Sequence, residues 1–456
     1  MSGPQLSGKP FDISKQEVWR AYQKVKANKG APGVDDCSVE AFEKDLKNNL
    51  YKIWNRMSSG SYFPPPVRAV EMPKPSGGVR VLGVPTVADR VAQTVVAEKL
   101  EKRVEPIFHP DSYGYRPGRS ALDAVGQCRR RCWNRAWVVD LDIARFFDEV
   151  DHQLLLKAVA GHAPEPWVLL YISRWLKAPI QHGDGTIAQR SRGTPQGSAV
   201  SPVLANLFLH YAFDMWMARR FPTVQFERYV DDVVVHCVTE RQAREVREAV
   251  EGRLARVGLR MHPDKTRIVY CRTQKRKGDH PEVSFDFLGY TFRPRAARDG
   301  KGGIFTSFLP AISKSALKRL SARVRSWRLH LRTGSTLTGL ARTINPIVRG
   351  WMQYYGRFYR TALYPLLKTH QRLLGALAAE EVQTAADLQE GQSGLEEGDP
   401  SVPPPPEPLG LGPIILVTKD DKSRVTGDCY ARFCGSPGVR LPRATRPAAL
   451  LAEERR

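Results

Sequence analysis

Two aspartates, Asp231 and Asp232, stand side by side in FERYVDDVVVHC, a run otherwise rich in β-branched and aromatic residues. Such a run reads as strand, and strand interiors are depleted in Asp because a short charged side chain packs poorly there and repels a like neighbour. The pair is favourable chiefly where the chain turns into solvent or where a cation neutralises it. Asp-Asp without Gly makes a mediocre two-residue turn, so the segment alone is equally compatible with a solvated hairpin and a metal site. A second acidic strand end lies upstream in AWVVDLDIARFFDEVDH, where an apolar strand delivers Asp142 to its tip and Asp140 and Asp148 flank it. On its own Asp142 reads as a helix N-cap. Two carboxylates on neighbouring strand tips are a different matter, because they supply the hard oxygen ligands that two Mg2+ ions about 4 Å apart need for phosphoryl transfer.

The charge balance points to a polyanionic partner. Seventy Lys and Arg face forty-seven Asp and Glu, a net +23, and such a field attracts nucleic acid. The excess is concentrated in residues 1–372, with 61 basic and 34 acidic side chains, whereas residues 373–456 hold 9 and 13. No Lys or Arg lies between Glu380 and Glu407, and that stretch runs into Pro403–Pro406, as expected of an acidic linker that buries little apolar surface. Beyond it GPIILVTKDD has the pattern of one strand, in a tail too small for a core of its own. No stretch approaches the roughly 18 apolar residues that span a bilayer, and seven scattered cysteines suit reduced thiols. The expectation is a cytoplasmic protein without disulfides or a membrane partner. Cys128-x-x-x-Cys132 and Cys429/Cys434 each lack a second pair, so spacing assigns no zinc site.

Before the linker, the apolar period switches repeatedly between two and 3.6, which argues for mixed α and β structure. VRAVEMP, GGVRVLGVP, AWVVDLDI, FERYVDD and VVVHCV read as strands, and VWRAYQKVKAN and SVEAFEKDLKNNLYKIWNRM as helices. Ser201-Pro202 is placed to cap the helix that follows, and SALKRLSARVRSWRLHLR reads as a basic helix.

In order along the chain, MPKPSGGVRVLGVPTVADRVAQ, SYGYRPGRSALDAV, DIARFFDEVDH, RGTPQGSAVSPVLANLFLH, YVDD, GLRMHPDKT and FDFLGYTF resemble the successive motifs of the group II intron reverse transcriptases, the intron-encoded maturases. LTGLARTINPIVRGWMQYYGRFYRTALYPLL resembles their maturase-specific, or X, domain. The resemblance implies an α+β right-hand polymerase whose fingers and palm precede an all-α thumb, with domains at 1–60 (helical extension), 61–305 (fingers and palm), 306–372 (thumb), 373–410 (linker) and 411–456 (poorly ordered tail). It implies Asp142, Asp231 and Asp232 as catalytic metal ligands, with the Ile143 carbonyl as a further ligand, for two Mg2+ ions that Mn2+ could replace. Lys74 and Arg80, across the Gly-Gly hairpin of PKPSGGVR, would grip the nucleotide triphosphate. Gln196, between Gly193 and Gly197, would contact nucleotide or template. Phe147 would stand against the sugar and exclude a 2′-hydroxyl. Lys265 is a candidate general acid for the leaving pyrophosphate, and Arg116, Arg119, Arg349 and Arg357 would bind RNA or primer. At helical spacing, Trp351, Tyr355 and Phe358 share one face and read as packing.

The partners implied are an RNA template, group II intron RNA in the first instance, a DNA or RNA primer, and dNTPs. From Lys368 the chain departs from the family, and neither the basic DNA-binding segment nor the His-Asn-His endonuclease is recognisable. The leading reading is an RNA-directed DNA polymerase that also assists splicing and mobility of its intron. The alternatives are a maturase or RNA chaperone with dispensable polymerase activity, and a reverse transcriptase turned to DNA repair or phage defence. An RNA-dependent RNA polymerase is disfavoured by Phe147.

Overall fold

The structure, a computed structural model, describes residues 9–73, 78–298, 303–328 and 337–367. Lys74, the strand expected in GPIILVTKDD, the linker, the tail, Cys429 and Cys434 lie outside these residues. The described chain falls into two compact units. The first runs through Cys271 and takes in Gly278–Glu282, and the second comprises Arg272–Lys277 and the chain from Val283 onward.

In the first unit β1 (Val67–Pro73) and β2 (Val79–Val84) form an antiparallel hairpin, as the Gly-Gly signal predicts. The central strand is β3 (Trp137–Ala144), whose Val138, Val139, Leu141 and Ile143 are all at most 2% exposed. Side chains on both faces of β3 are therefore covered, and each such burial contributes about 1.5–3 kcal/mol. The two short strands β4 (Ile180–Gln181) and β5 (Ile187–Ala188) extend the first hairpin through a parallel β1–β4 pairing. β6 (Gln225–Tyr229) and β7 (Asp232–Cys237) make a second hairpin, and β7 lies antiparallel to β3. The other edge of β3 is shared by β8 (Arg260–Met261) and β9 (Arg267–Tyr270). Helices Ala121–Asn134 and Glu240–Arg256 pack on this sheet. The first of them opens with a capping box between Ser120 and Asp123.

Three helix boundaries depart from expectation. The single helix read from SVEAFEKDLKNNLYKIWNRM is two, Val39–Glu43 and Leu46–Ser58, with Asp45 at the junction in a non-helical conformation. The helix expected to be capped by Ser201 starts one residue early, so that Val200 is its N-cap and Pro202 sits within the first turn, where its missing N–H costs nothing. That helix widens to a π-turn at His210–Asp214 before continuing as Met215–Arg220.

The second unit is a three-stranded antiparallel sheet, β10 (Phe285–Phe287), β11 (Tyr290–Arg298) and β12 (Ile304–Ile312), with the helices Lys314–Ser326 and Leu337–Tyr355. The boundary expected between residues 305 and 306 thus falls inside β12, because the sheet is shared with the chain from Phe285 onward. Trp351, Tyr354 and Tyr355 are buried, and Trp351 stacks on Trp327 at 5.5 Å. Phe358 is half-buried against Tyr290. The aromatic stripe of the last helix is thus core.

Candidate active site

Register brings the acidic residues together. Asp142 near the end of β3 is the cross-strand partner of Asp232 at the start of β7, and the β6–β7 hairpin closes through Val230 and Asp231. Tyr229 pairs with Asp232, so the loop is two residues long, with φ +61° at Val230 and negative φ at Asp231. That is the sign pattern of a type II′ turn, whose first position ordinarily takes Gly. A β-branched residue in the left-handed region is strained by about 1–2 kcal/mol. The turn is held from behind. A Cβ on Gly114 would lie 2.6 Å from Val230 Cγ2 and 2.8 Å from Val230 N, so only glycine admits this approach. Arg228, fully buried, donates through Nη1 to the Val230 carbonyl (3.1 Å) and to Asn206 Oδ1 (3.1 Å). Its Nη2 donates to Ser112 Oγ (2.9 Å), and Nε and Nη2 make a bidentate pair with Asp214 at 2.7 and 2.6 Å.

The electrostatics of the acidic group follow from this placement. Burial pushes the Asp231 carboxyl up to about 6, and the nearby Asp142 charge adds to the effect while Arg80 and Lys265 oppose it. Lys265 Nζ donates to Asp142 Oδ2 at 2.8 Å. Asp140 points elsewhere and pairs with Arg267 at 3.4 Å, and Asp148 is an exposed partner of Arg145. Ile143, next to Asp142, has its side chain buried in the sheet.

Around the carboxylates, the GTPQGS loop is clamped on two sides. Gly193 N–H donates to the Val150 carbonyl (2.8 Å) and Thr194 N–H to the Phe147 carbonyl (2.7 Å), while Gly83 N–H donates to the Gln196 carbonyl (2.8 Å). Gly193, with φ +77°, faces the Phe147 carbonyl so closely that a Cβ would lie 2.6 Å from it. Arg80 Nε donates to Gln196 Oε1, which brings together the expected nucleotide-binding residues of β2 and the loop. Phe146 is the fully buried ring of its pair, and Phe147 is left half-buried beside it.

Sequence reasoning missed the groups that hold the loop. Gln93 Oε1 accepts from Ser198 Oγ (2.8 Å) and Ala199 N–H (2.9 Å), and Gln93 Nε2 donates to Asp89 Oδ2 (2.8 Å). Asp89 also accepts from Trp175 Nε1 (2.7 Å) and Tyr62 Oη (3.0 Å). Its burial outweighs those three bonds and raises its carboxyl to about 6. Asp89 and Gln93 lie four apart on the helix Val87–Val104, polar positions on a face that is otherwise core. That break in the apolar pattern was the available signal.

Arg116 requires a correction. Expected to bind RNA, it is only 9% exposed, with its donors committed to Glu105 and to the carbonyls of His109 and Ser112. It ties its own loop together. Arg119 is exposed beside the Tyr113 ring, and Arg349 and Arg357 are exposed in the second unit.

Residues 72–292 match the reverse transcriptase (RNA-dependent DNA polymerase) family, and residues 317–383 match the group II intron maturase-specific domain. The chain carries a reverse transcriptase domain followed by a group II intron maturase-specific domain. It is 29% identical over 359 residues to the protein YkfC of Escherichia coli, which covers 69% of this chain and 89% of that protein. It is 34% identical over 193 residues to the group II intron-encoded protein LtrA of Lactococcus lactis, or 42% of this chain and 32% of LtrA. The chain thus spans about a third of LtrA but most of YkfC. Reverse transcriptases of this family use divalent metal ions. No helix among the described residues is long and apolar enough to cross a membrane.

Proposed function

We propose that this reverse transcriptase extends a primer 3′-hydroxyl with deoxynucleotides at the carboxylates Asp142, Asp231 and Asp232. The observation that carries the reading is the cross-strand register of Asp142 with Asp232, with Asp231 projecting from the turn between β6 and β7. The donor set fits Mg2+, since carboxylate oxygens are hard ligands and their mutual repulsion calls for a cation. Asp142, Asp231 and Asp232, with the Ile143 carbonyl, would hold two such ions, and Mn2+ suits the same donors. When bound, they supply a lowered pKa for the attacking hydroxyl and neutralisation of the triphosphate. Arg80, with Lys74, offers bidentate and point-charge donors to the triphosphate. Arg80 already contacts Gln196, so nucleotide binding exchanges that bond for phosphate. Phe147, half-buried, would exclude a ribose 2′-hydroxyl. Lys265, which donates to Asp142, would neutralise pyrophosphate as it leaves. Arg119 in the first unit and Arg349 and Arg357 in the second offer exposed cations to template and primer phosphates.

The substrate RNA in this reading is a group II intron. Its support is the maturase-specific domain match at residues 317–383, and assistance to splicing is the second half of the proposal. Primer extension on poly(rA) with oligo(dT), dTTP and Mg2+ tests the first half. Asp231→Asn should reduce extension at least about a thousand-fold while leaving RNA binding intact. Wild-type protein that binds RNA tightly and extends no primer would leave the maturase reading in front. With equal dNTP and NTP, Phe147→Val should raise ribonucleotide incorporation by one to two orders of magnitude, about the scale of a removed steric clash. An unchanged preference would remove Phe147 from the sugar site.

A further inference from the structure

A second cluster of ligand-type side chains lies at the opposite end of the same strands from the carboxylates. Ligand atoms of Cys128, Glu227 and His236 lie within 4.8 Å of one another, all buried. Cys132 sits one turn along the same helix from Cys128, and its thiol is electrostatically coupled to the Cys128 and Cys271 thiols and to the His236 ring. Cys128, Cys132 and Cys271 are 0% exposed and His236 is 1% exposed, and none of the thiols is in a disulfide.

These residues come from three distant parts of the chain. Cys128 and Cys132 are one turn apart on the helix Ala121–Asn134, His236 lies on β7, and Cys271 directly follows β9. His236 is the cross-strand partner of Val138 and lies four residues beyond Asp232, roughly 13 Å along the strand. Spacing could not reveal this grouping, because the partners of the Cys-x-x-x-Cys pair are more than a hundred residues away and arrive through strand register.

The orientation of His236 decides what the cluster resembles. Its Nε2–H donates to Glu227 Oε2 at 2.5 Å, and Glu227 Oε1 accepts from Arg131 Nη1 at 2.6 Å. Arg131 is itself held by Asp111 at 2.8 Å. The Glu227 carboxylate raises the His236 ring to about 10, so Nδ1 as well as Nε2 carries a proton in the metal-free chain, and Nδ1 becomes a ligand once a metal ion displaces that proton. Nδ1 is buried and completes no hydrogen bond among the described residues. A carboxylate that orients a histidine whose other nitrogen meets thiols is the outer shell characteristic of zinc sites. Three thiolates and one imidazole form a closed tetrahedral ligand set for structural Zn2+, in which neighbouring sulfurs stand about 3.8 Å apart for Zn–S bonds of about 2.3 Å. Mg2+ is excluded by the softness of these donors.

We propose that Cys128, Cys132, His236 and Cys271 bind one Zn2+ as a structural site, with Glu227 and Arg131 as the groups that orient His236. Binding releases three thiol protons and the His236 Nδ1 proton to solvent as three Zn–S bonds and one Zn–N bond form, with no change in oxidation state. The site fastens the helix Ala121–Asn134 to β7 and to the end of β9, behind the hairpin that carries Asp231.

The test is elemental analysis of the full chain after gel filtration, followed by replacement of the bound metal with Co2+. The expected result is about one zinc per chain, surviving a wash with a weak chelator, and intense thiolate-to-cobalt absorption together with visible bands of tetrahedral strength. Cys271→Ser and His236→Ala should each lose the metal and the thiolate bands, and Asp231→Asn should keep both, which separates this site from the carboxylates. Because a cysteine variant can fail to fold, the wild type decides. Folded wild-type protein, checked by circular dichroism, that holds no zinc and develops no thiolate-to-cobalt absorption overturns the proposal, as does a disulfide between Cys128 and Cys132 in the freshly purified chain.

Discussion

Two hairpins among the described residues close through two-residue turns, one supported chiefly by a buried ion-pair network and the other chiefly by packed rings. The turn between β6 and β7 carries Val230 at φ +61° and is held by directional bonds from Arg228, itself locked by Asp214, Asn206 and Ser112. The turn between β10 and β11 carries Leu288 at φ +51° and Gly289 at φ +80°, and is held by rings. Tyr354 Oη donates to the Leu288 carbonyl at 2.9 Å, and Tyr290, Tyr354 and Tyr355 crowd against one another with centroids 4.8–5.8 Å apart. Apolar packing fixes a backbone by area and tolerates small shifts, whereas a buried ion pair fixes it by angle and distance. The hairpin that must aim a carboxylate is the one supported by angle and distance.

This contrast breaks most visibly at Arg228. Arg228→Met should cost about 3–5 kcal/mol, because Asp214 is left buried without its partner. Urea denaturation measures it, and a midpoint close to that of the wild type would mean that the network is ornamental.

The next largest effect is pH dependence. The folded carboxyl of Asp89 stands at about 6, above its usual 3.8, so the native state holds the proton more tightly than the unfolded chain does. Stability from this group is fully present below about pH 4 and is lost as pH rises toward 6, on the order of 3 kcal/mol across the window. Asp89→Asn should flatten that part of the stability profile, and an unchanged slope in the variant would assign it to other groups. The smallest effect is expected in the second unit. Leu288→Asn relaxes the left-handed first position of a type I′ turn, worth about 0.5–1 kcal/mol, but gives up a buried Leu side chain worth about 1.5–3 kcal/mol, so a net loss of about 1–2 kcal/mol is expected. A gain of melting temperature would show that the Leu288 backbone strains more than its side chain packs.

The strands and the acidic site were legible because apolar period and motif order survive in one dimension. Asp142, Asp231 and Asp232 interrupt apolar runs, and such interruptions stand out. What was illegible is the polar scaffolding. Glu227 and Arg228 are consecutive on β6 and so face opposite sides of the sheet, yet both are fully buried. A reader of FERYV expects at least one of them in solvent, since charged residues are rarely buried without partners and those partners, Arg131, His236 and Asp214, lie elsewhere in the chain. Arg116 misled for the converse reason. Its neighbours in SYGYRPGRS resemble a nucleic-acid motif, but its partner Glu105 is only eleven residues upstream and captures it locally. The helix break at Asp45 and the strand that crosses residue 305 are boundary errors, set by which surfaces the fold covers rather than by propensity.

The ion pair between Lys265 and Asp142 has a consequence for how ions enter the carboxylate site. Asp142 does not stand bare, because a tethered ammonium from the chain segment after β8 already rests on one of its oxygens at 2.8 Å. In the proposed mechanism a divalent ion held by Asp142 would take the place of this lysine, which would then stay within reach of phosphate. An internal counter-ion of this kind works like a spring-loaded stopper. It offsets part of the repulsion among Asp142, Asp231 and Asp232 while no other cation is bound.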